Sequence, residues 1–299
     1  MYDRLLAQLD PGIVSRDEPM QSHTTFRIGG PADVLVTPSN IQELKTALKF
    51  CRDHDLPVFV FGAGSNLLVG DRGIRGVTIK IGTFLNQVRV ENNRIYAQAG
   101  VGLGNLARQA ALLSLSGLEF AEGIPGSLGG AVVMNAGAYG GEMSQIVTAV
   151  EAVSPTGEER TFQAAEIGFG YRESIFQHNG YLVTAAYLEL HPGERSTINQ
   201  TMLEYAKNRR AKQPLEFPSA GSVFRRPPGY FVGPMLEQLG LKGYRIGGAE
   251  VSQKHAGFII NTGSATARDV LDLIAHVKRV AKENLGVELE TEIRVIGDL

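Results

Sequence analysis

The sequence predicts an α+β protein divided into two or three domains. Three observations carry this expectation. The chain has 299 residues, a length at which a single hydrophobic core has usually stopped growing and the chain has split. Its strand-like runs between Val58 and Ala97 follow one another closely through hairpin-like turns, where an alternating parallel sheet would interpose helices. Composition changes near His191-Pro192-Gly193-Glu194, and the chain beyond carries helix and strand signals of its own.

Taken in order, residues 39–55 read as a helix. Ser39 or Asn40 can cap it, Gln42 and Glu43 follow at capping-box distance, and Ile41, Leu44, Leu48 and Cys51 share one face. Val58-Phe59-Val60-Phe61 is a short β-prone run that stops at Gly62. Residues 77–81, 87–90 and 94–97 read as further strands, with Asn92-Asn93 as a turn. Residues 103–115 read as a helix, and 117–141 as a glycine-rich passage holding the apolar stretch Ala131-Val132-Val133-Met134. Strands are expected around 147–154 and 181–190, then a basic helix over 198–212 with Lys207, Arg209, Arg210 and Lys212. Thr266 and Asp269 open a helix whose Val270, Leu273, Ile274, Val277, Val280 and Ala281 keep the helical period until Gly286 stops it. Residues 287–296 alternate as a closing strand, with Val287, Leu289, Ile293 and Val295 on one face and Glu288, Glu290, Glu292 and Arg294 on the other.

Composition excludes several classes of function. Hydrophobic residues make up 43% and charged ones 20%, ordinary for a soluble globular chain and contrary to disorder. Lys and Arg number 29 against 31 Asp and Glu, a net charge of -2. Without a basic field to gather a polyphosphate backbone, nucleic acid is not an expected partner. The start, MYDRLLAQLDPG, lacks a basic segment followed by an apolar stretch and a cleavage site, so no signal peptide is expected. The best apolar stretch, 56–69, is broken by Gly62, Gly64, Ser65 and Asn66, so no membrane span is expected and a cytoplasmic location fits. Cys51 is alone and the six histidines show no pairing at ligand spacing, so neither a disulfide nor a bound metal is expected.

Glycine is the unusual residue: there are 36, and 11 of them lie between Gly100 and Gly141. Each weakens a helix or strand interior by roughly 0.5–1 kcal/mol, so a dense cluster points to backbone that a ligand approaches closely. Gly62-Ala63-Gly64-Ser65-Asn66-Leu67 follows directly on a strand, and its successive N–H groups can form a nest for a diphosphate; a plain tight turn is the equal alternative. It is not a Rossmann fingerprint, because Leu67 stands at the third glycine and Ile81-Gly82-Thr83 stands about twenty residues on, where an acid is required. Gly102-Leu103-Gly104-Asn105-Leu106-Ala107 fits that fingerprint better, with Glu122 beyond it, but its setting among close-spaced strands makes it a decoy. Gly123-Ile124-Pro125-Gly126-Ser127-Leu128-Gly129-Gly130 continues through Asn135-Ala136-Gly137-Ala138-Tyr139-Gly140-Gly141 without periodicity. Loops longer than about 12–15 residues without structure of their own are usually functional. Two glycine loops far apart in sequence suggest one elongated cofactor, such as a dinucleotide, gripped from both sides. Gly221-Ser222-Val223 lacks the flanks of a nucleophile elbow, so hydrolysis is not expected.

Six strings now stand out together: Thr24-Thr25-Phe26-Arg27-Ile28-Gly29-Gly30-Pro31-Ala32, Gly62-Ala63-Gly64-Ser65-Asn66, Gly123 to Gly130, Tyr171-Arg172-Glu173-Ser174, Ala220-Gly221-Ser222-Val223-Phe224 and Leu289-Glu290-Thr291-Glu292-Ile293-Arg294. Over about residues 24 to 297, and in the same order, they closely resemble the UDP-N-acetylenolpyruvoylglucosamine reductase family. The resemblance implies a two-part FAD-binding region of the vanillyl-alcohol oxidase (PCMH) type, followed by an α+β substrate-binding domain. It implies boundaries at 1–82 and 83–205 for the two FAD-binding subdomains and 206–299 for the substrate-binding domain. The implied activity is NADPH-dependent, FAD-mediated reduction of UDP-N-acetylglucosamine enolpyruvate to UDP-N-acetylmuramate. That would be a cytoplasmic step of peptidoglycan precursor synthesis, serving cell-wall biogenesis, cell shape and cell division, and carried by a monomer.

By the same resemblance, FAD would lie on Gly62, Ala63, Gly64, Ser65, Asn66 and Leu67, on Gly123, Ile124, Pro125, Gly126, Ser127, Gly129 and Gly130, and on Asn135, Ala136 and Gly137. Arg172 matches the family's catalytic arginine, Ser222 its proton donor and Glu292 its catalytic glutamate. Lys212, ten residues before Ser222, aligns with a lysine that contacts substrate, and Arg225 and Arg226 would meet the UDP diphosphate. The reaction passes hydride from flavin N5 to C3 of the enol ether and leaves negative charge at C2, delocalised into the carboxylate. Arg172 would neutralise that carboxylate through its planar fork, and a protonated Glu292 would donate to the developing acid. Ser222 would deliver the proton to C2, and positioned proton donors contribute typically about 10²–10⁴-fold. Only fifty residues separate Arg172 from Ser222, which is similar to the shorter subtype without the tyrosine-bearing lid loop.

On their residues alone the three candidates read otherwise. Arg172 beside Glu173 reads as a surface arginine, Ser222 as a turn residue, and Glu292 with Glu288 and Glu290 as part of a solvated face. Two other functions therefore stand beside the reductase. One is an FAD oxidase of the same fold acting on an alcohol or amine; the other is a non-catalytic protein that binds a sugar nucleotide.

Overall fold

The structure, a computed structural model, describes Tyr2, Leu5, residues 7–82 and residues 84–299. Part of the opening stretch read for a signal peptide, and Thr83 at the position tested for an acid, lie outside the described residues. The chain forms two compact units. The first comprises Met1–Arg16, Val34–Ala63 and Gly76–Arg209; the second comprises Asp17–Asp33, Gly64–Arg75 and Arg210–Leu299.

The first unit is built on a five-stranded antiparallel sheet. Its spatial order is Glu159–Gln163, Val147–Val153, Leu182–Glu189, Arg94–Gln98 and Val88–Glu91. The last two form the expected hairpin, turning at Asn92, whose φ of 56° is one asparagine tolerates. The helix Leu128–Val133 packs on the strand Leu182–Glu189 and takes up most of the apolar stretch found in the glycine-rich passage. Val58–Phe61 pairs in parallel with residues 77–80, as the absence of a hairpin turn between them requires. The preceding helix, Ile41–Asp53, uses both of its candidate caps. Asn40 Oδ1 accepts from Glu43 N at 3.0 Å, while Glu43 Oε2 accepts from Ser39 N at 2.7 Å. This anchors a face that buries Leu44, Ala47, Leu48, Phe50 and Cys51. The helix expected over 103–115 ends earlier, at Leu112, because Ser114 turns left-handed at φ 58° and the chain enters the short strand Leu115–Ser116.

The second unit has its own core, in which Leu236, Val251, Ile259, Leu273 and Val277 are joined by Phe26, Ile28 and Leu68 from the N-terminal segments. A four-stranded sheet runs Ser219–Ser222, Phe258–Asn261, Ala249–Val251, Arg245–Ile246. The helix Ala267–Leu285 starts with the full capping box of Thr266 and Asp269 and ends at Gly286, whose φ is 68°. The closing strand is shorter than its alternation predicts: only Arg294–Ile296 is strand, parallel to Leu67–Val69. Upstream the backbone is drawn aside, Glu292 N donating to Val223 O at 2.8 Å and Arg225 N to Glu290 O at 2.9 Å. Leu289 and Ile293 are buried as expected, but Val295 is exposed.

Candidate active site

Gly62 and Ala63 follow the strand Val58–Phe61 in the first unit, and Ser127 stands opposite Gly62. A Cβ at Gly62 would fall against Ser127 Oγ, so the missing side chain is what lets the two glycine loops meet. Ser127 is 6% exposed, and its Oγ has no hydrogen-bond partner among the described residues. A buried hydroxyl left unpaired costs about 1–3 kcal/mol, which a ligand reaching it would recover. The loop is held from its other side. Leu103 N donates to Gly126 O at 3.0 Å, Leu128 N donates to Val101 O at 2.8 Å, and Gly102 forms an isolated antiparallel bridge with Ser127. The G-x-G-x-x-A string thus braces the second loop with the start of its own helix.

Several residues of this passage are engaged by the protein itself. Gly129 has no room for a Cβ, which would lie 2.8 Å from that of Ala99. At Gly137 a Cβ would lie 2.7 Å from both Glu142 Cβ and Gly141 O. Asn135 is 1% exposed, and its amide bridges two segments: Nδ2 donates to Gly170 O at 2.9 Å and Oδ1 accepts from Ser144 N at 2.9 Å.

Arg172 sits in a tight turn in the same unit. Gly170 and Glu173 exchange backbone hydrogen bonds across it, at 3.1 and 3.2 Å, and Arg172 is left-handed with φ 57°. Such a conformation costs of order 1–3 kcal/mol and persists only where the surroundings enforce it. Here they do. Gln177 Nε2 donates to Arg172 O at 2.9 Å and to Val133 O at 3.0 Å, and Ser174 Oγ donates to Val133 O at 2.7 Å. The guanidinium itself donates through Nη2 to Gly137 O at 3.1 Å and lies 5.2 Å from the centroid of the Tyr171 ring.

In the second unit the first glycine loop continues, and Ser222 and Glu292 come together. Asn66 Nδ2 donates to Glu292 O at 3.1 Å, and Asn66 O accepts from Arg294 N at 2.9 Å. Glu292 N in turn donates to the carbonyl of Val223, the residue after Ser222. Ser222 is half-buried, and among the described residues its Oγ makes only a long contact of 3.4 Å to Phe224 O. Gly257 lies beside both Ser222 Oγ and the His255 ring, which its Cβ would approach to 3.5 and 3.0 Å. Burial lowers the His255 pKa and keeps that imidazole neutral near pH 7. The solitary histidines of the sequence gave no sign of this neighbour.

The matches to known proteins agree with this geometry. Residues 32–163 match the FAD binding domain family, and residues 213–296 match the UDP-N-acetylenolpyruvoylglucosamine reductase C-terminal domain. The UDP-N-acetylenolpyruvoylglucosamine reductase of Syntrophomonas wolfei subsp. wolfei is 55% identical over 298 residues, covering 100% of this chain and 100% of its own. That of Alkaliphilus oremlandii is 46% identical over 297 residues, covering 99% of this chain and 98% of its own. The chain belongs to the UDP-N-acetylenolpyruvoylglucosamine reductase family. The crystal structure of the family's Thermus caldophilus member superposes with a TM-score of 0.80 at 38% identity, covering 93% of this chain and 97% of that one.

As a reductase of this family, the chain is a flavin-dependent oxidoreductase, with an FAD binding domain followed by the family's C-terminal domain in a mixed α and β fold. The residues present fit FAD: Gly62 lets the two glycine loops meet, and the Ser127 Oγ between them, unpaired among the described residues, offers a polar contact. Of the cations expected to meet substrate, Lys212 is exposed at the end of the helix Arg195–Lys212. Arg225 lies 4.0 Å from the Glu290 carboxylate. Arg226 donates through Nε to Tyr230 O at 3.3 Å and stacks 3.8 Å over the Phe231 ring. Among the described residues no group of three or more His, Cys, Asp or Glu could hold a metal ion, and no helix is long and apolar enough to cross a membrane.

Proposed function

We propose that this chain uses NADPH and FAD to reduce UDP-N-acetylglucosamine enolpyruvate to UDP-N-acetylmuramate, a step of peptidoglycan precursor synthesis. The observation that carries the reading is the backbone bracket joining Asn66 of the first glycine loop, Glu292 and the residue after Ser222. It joins the chain segments that carry Ser222 and Glu292 to the first glycine loop, which supports reading them as one site. The glycine loops would hold FAD, which when bound would supply hydride-transfer chemistry between NADPH and the enolpyruvyl group.

The chain's own residues handle the charge and the proton. Ser222 Oγ–H, without a strong intramolecular acceptor, delivers its proton to C2 and completes saturation of the double bond. Arg172, fixed by its turn, presents a planar fork to the substrate carboxylate, where negative charge gathers as C3 is reduced. Glu292 offers its carboxyl to that same group. Ser65, Asn66, Leu67 and the loop 123–130 hold the cofactor, with Lys212 contacting the substrate and Arg225 and Arg226 serving the UDP diphosphate. In this division of labour, residues 1–82 and 83–205 carry FAD and 206–299 the sugar nucleotide.

The test is Ser222→Ala, followed through the two half-reactions separately. Flavin reduction by NADPH is expected to stay within about twofold, while reduction of the enolpyruvyl group falls by at least about 10²-fold. Unchanged turnover would remove Ser222 from its role. Oxygen consumption with an alcohol or amine and without NADPH would point instead to an oxidase on the same fold.

A further inference from the structure

We propose that Arg209 is a cofactor-binding residue, its guanidinium donating to an electron-rich oxygen of FAD at the Gly123 end of the second glycine loop. The inference rests on the FAD reading above and adds a residue from a different element. The helix Arg195–Lys212 reads in sequence as a solvated basic face, and Lys207, Arg210 and Lys212 are indeed exposed. Arg209 is not: it is 7% exposed.

Taking a guanidinium out of water is costly unless its charge and its donors are matched. Inside the first unit the match is incomplete. Nη2 reaches Phe120 O only at 3.4 Å, and Nε has no partner among the described residues. The Glu122 carboxylate acts on Arg209 but is held by Arg108, whose Nη1 lies 3.1 Å from both of its oxygens. The remaining support is aromatic. The guanidinium lies 5.3 Å from the centroid of Tyr139, whose ring stacks on Tyr205 at 4.1 Å. That stack fixes one face of the cation and supplies no acceptor.

The unmatched edge lies at the cofactor loop. A Cβ on Gly123 would come within 2.9 Å of Arg209 Cδ and 3.5 Å of Nε, so the glycine is what lets loop and arginine approach. Four residues further on is Ser127, with its unpaired Oγ. Thr78, Ser127, Asn179 and Arg209 hold the buried unpartnered side-chain atoms of the described residues, and two of the four flank this one loop. What would complete both is a ligand rich in oxygen acceptors lying along residues 123–127. Within FAD that chemistry comes from two places, the diphosphate and the carbonyls of the flavin ring.

The experiment compares Arg209→Met and Arg209→Lys with the unsubstituted holoenzyme. FAD dissociation is followed by the recovery of flavin fluorescence, and folding is checked by far-ultraviolet circular dichroism. FAD affinity is expected to fall at least about tenfold in Arg209→Met, as loss of a charged donor implies, and by less in Arg209→Lys. The flavin reduction potential then separates the two sources. A potential that falls without the cation indicates a ring carbonyl, and an unchanged potential with weakened binding indicates the diphosphate. Dissociation constants within twofold of the unsubstituted protein in folded variants would overturn the proposal and leave Arg209 as packing for Tyr139. Should Arg209→Met fail to fold, Arg209→Lys alone decides by the same criterion. An unsubstituted chain that binds no FAD would overturn this proposal together with the reading beneath it, a result distinct from insensitivity of the variants alone.

Discussion

Asn135 shows how much the geometry around Arg172 can depend on one buried side chain. Its sequence setting, between two glycine clusters, reads as cofactor contact, yet its buried amide joins Gly170 to Ser144 and closes the turn that carries Arg172. Asn135→Ala would remove one of the two hydrogen bonds that Gly170 O accepts and leave the part-buried Ser144 N unpaired, at about 1–3 kcal/mol. It would also loosen a left-handed arginine that is held from outside. The expected result is a lower kcat with flavin content unchanged, measured by steady-state kinetics on protein of known flavin absorbance. A kcat equal to that of the unsubstituted enzyme would mean that Gln177 and Ser174 suffice to hold the turn. None of this was legible in the residues, because a stretch without periodicity gives no sign of which side chains are buried. Arg172, Ser222 and Glu292 stood out only through the strings they belong to; alone, each resembled ordinary surface or turn chemistry.

Elements whose limits are set locally were legible. The helix Ala267–Leu285 begins at its capping box and stops at Gly286, and the hairpin turns at Asn92, all by contacts within a few residues. The closing strand was not legible, since residues 290–292 are bonded to Val223 and Arg225, partners far away in sequence. The five-stranded sheet carries a prediction of its own. On Leu182–Glu189, Tyr187 donates to Glu151 Oε1 at 2.7 Å, and Tyr96 on the neighbouring strand donates to Oε2 at 3.4 Å. The bond to Glu151, with some burial, pushes the Tyr187 phenol up to about 12. A phenol whose folded pKa exceeds its unfolded value of about 10 stabilises the fold fully below pH 10, and that contribution is lost as pH rises towards 12. Tyr187→Phe should therefore flatten the loss of stability over that window, read from urea unfolding midpoints at successive pH values. An identical slope in the variant would assign the alkaline transition to other groups.

At the scale of the whole molecule, composition and spacing narrowed the classes of function to expect, and glycine density suggested loops for a cofactor. They did not indicate that Asp17–Asp33 and Gly64–Arg75 share a unit with the C-terminal part, because Phe26, Ile28 and Leu68 enter that core through contacts of very long sequence separation. That unit contains Asn66, Ser222 and Glu292, while the loop 123–130, Arg172 and Arg209 lie in the other. The central claim is that one chain supports two half-reactions on one bound flavin. It is tested most directly by the visible spectrum of the purified protein under anaerobic conditions, first alone, then with NADPH, then with UDP-N-acetylglucosamine enolpyruvate. The account predicts flavin absorbance that bleaches with NADPH and returns with the sugar nucleotide. Flavin that bleaches and stays bleached, or a colourless protein that FAD cannot reconstitute, would contradict it.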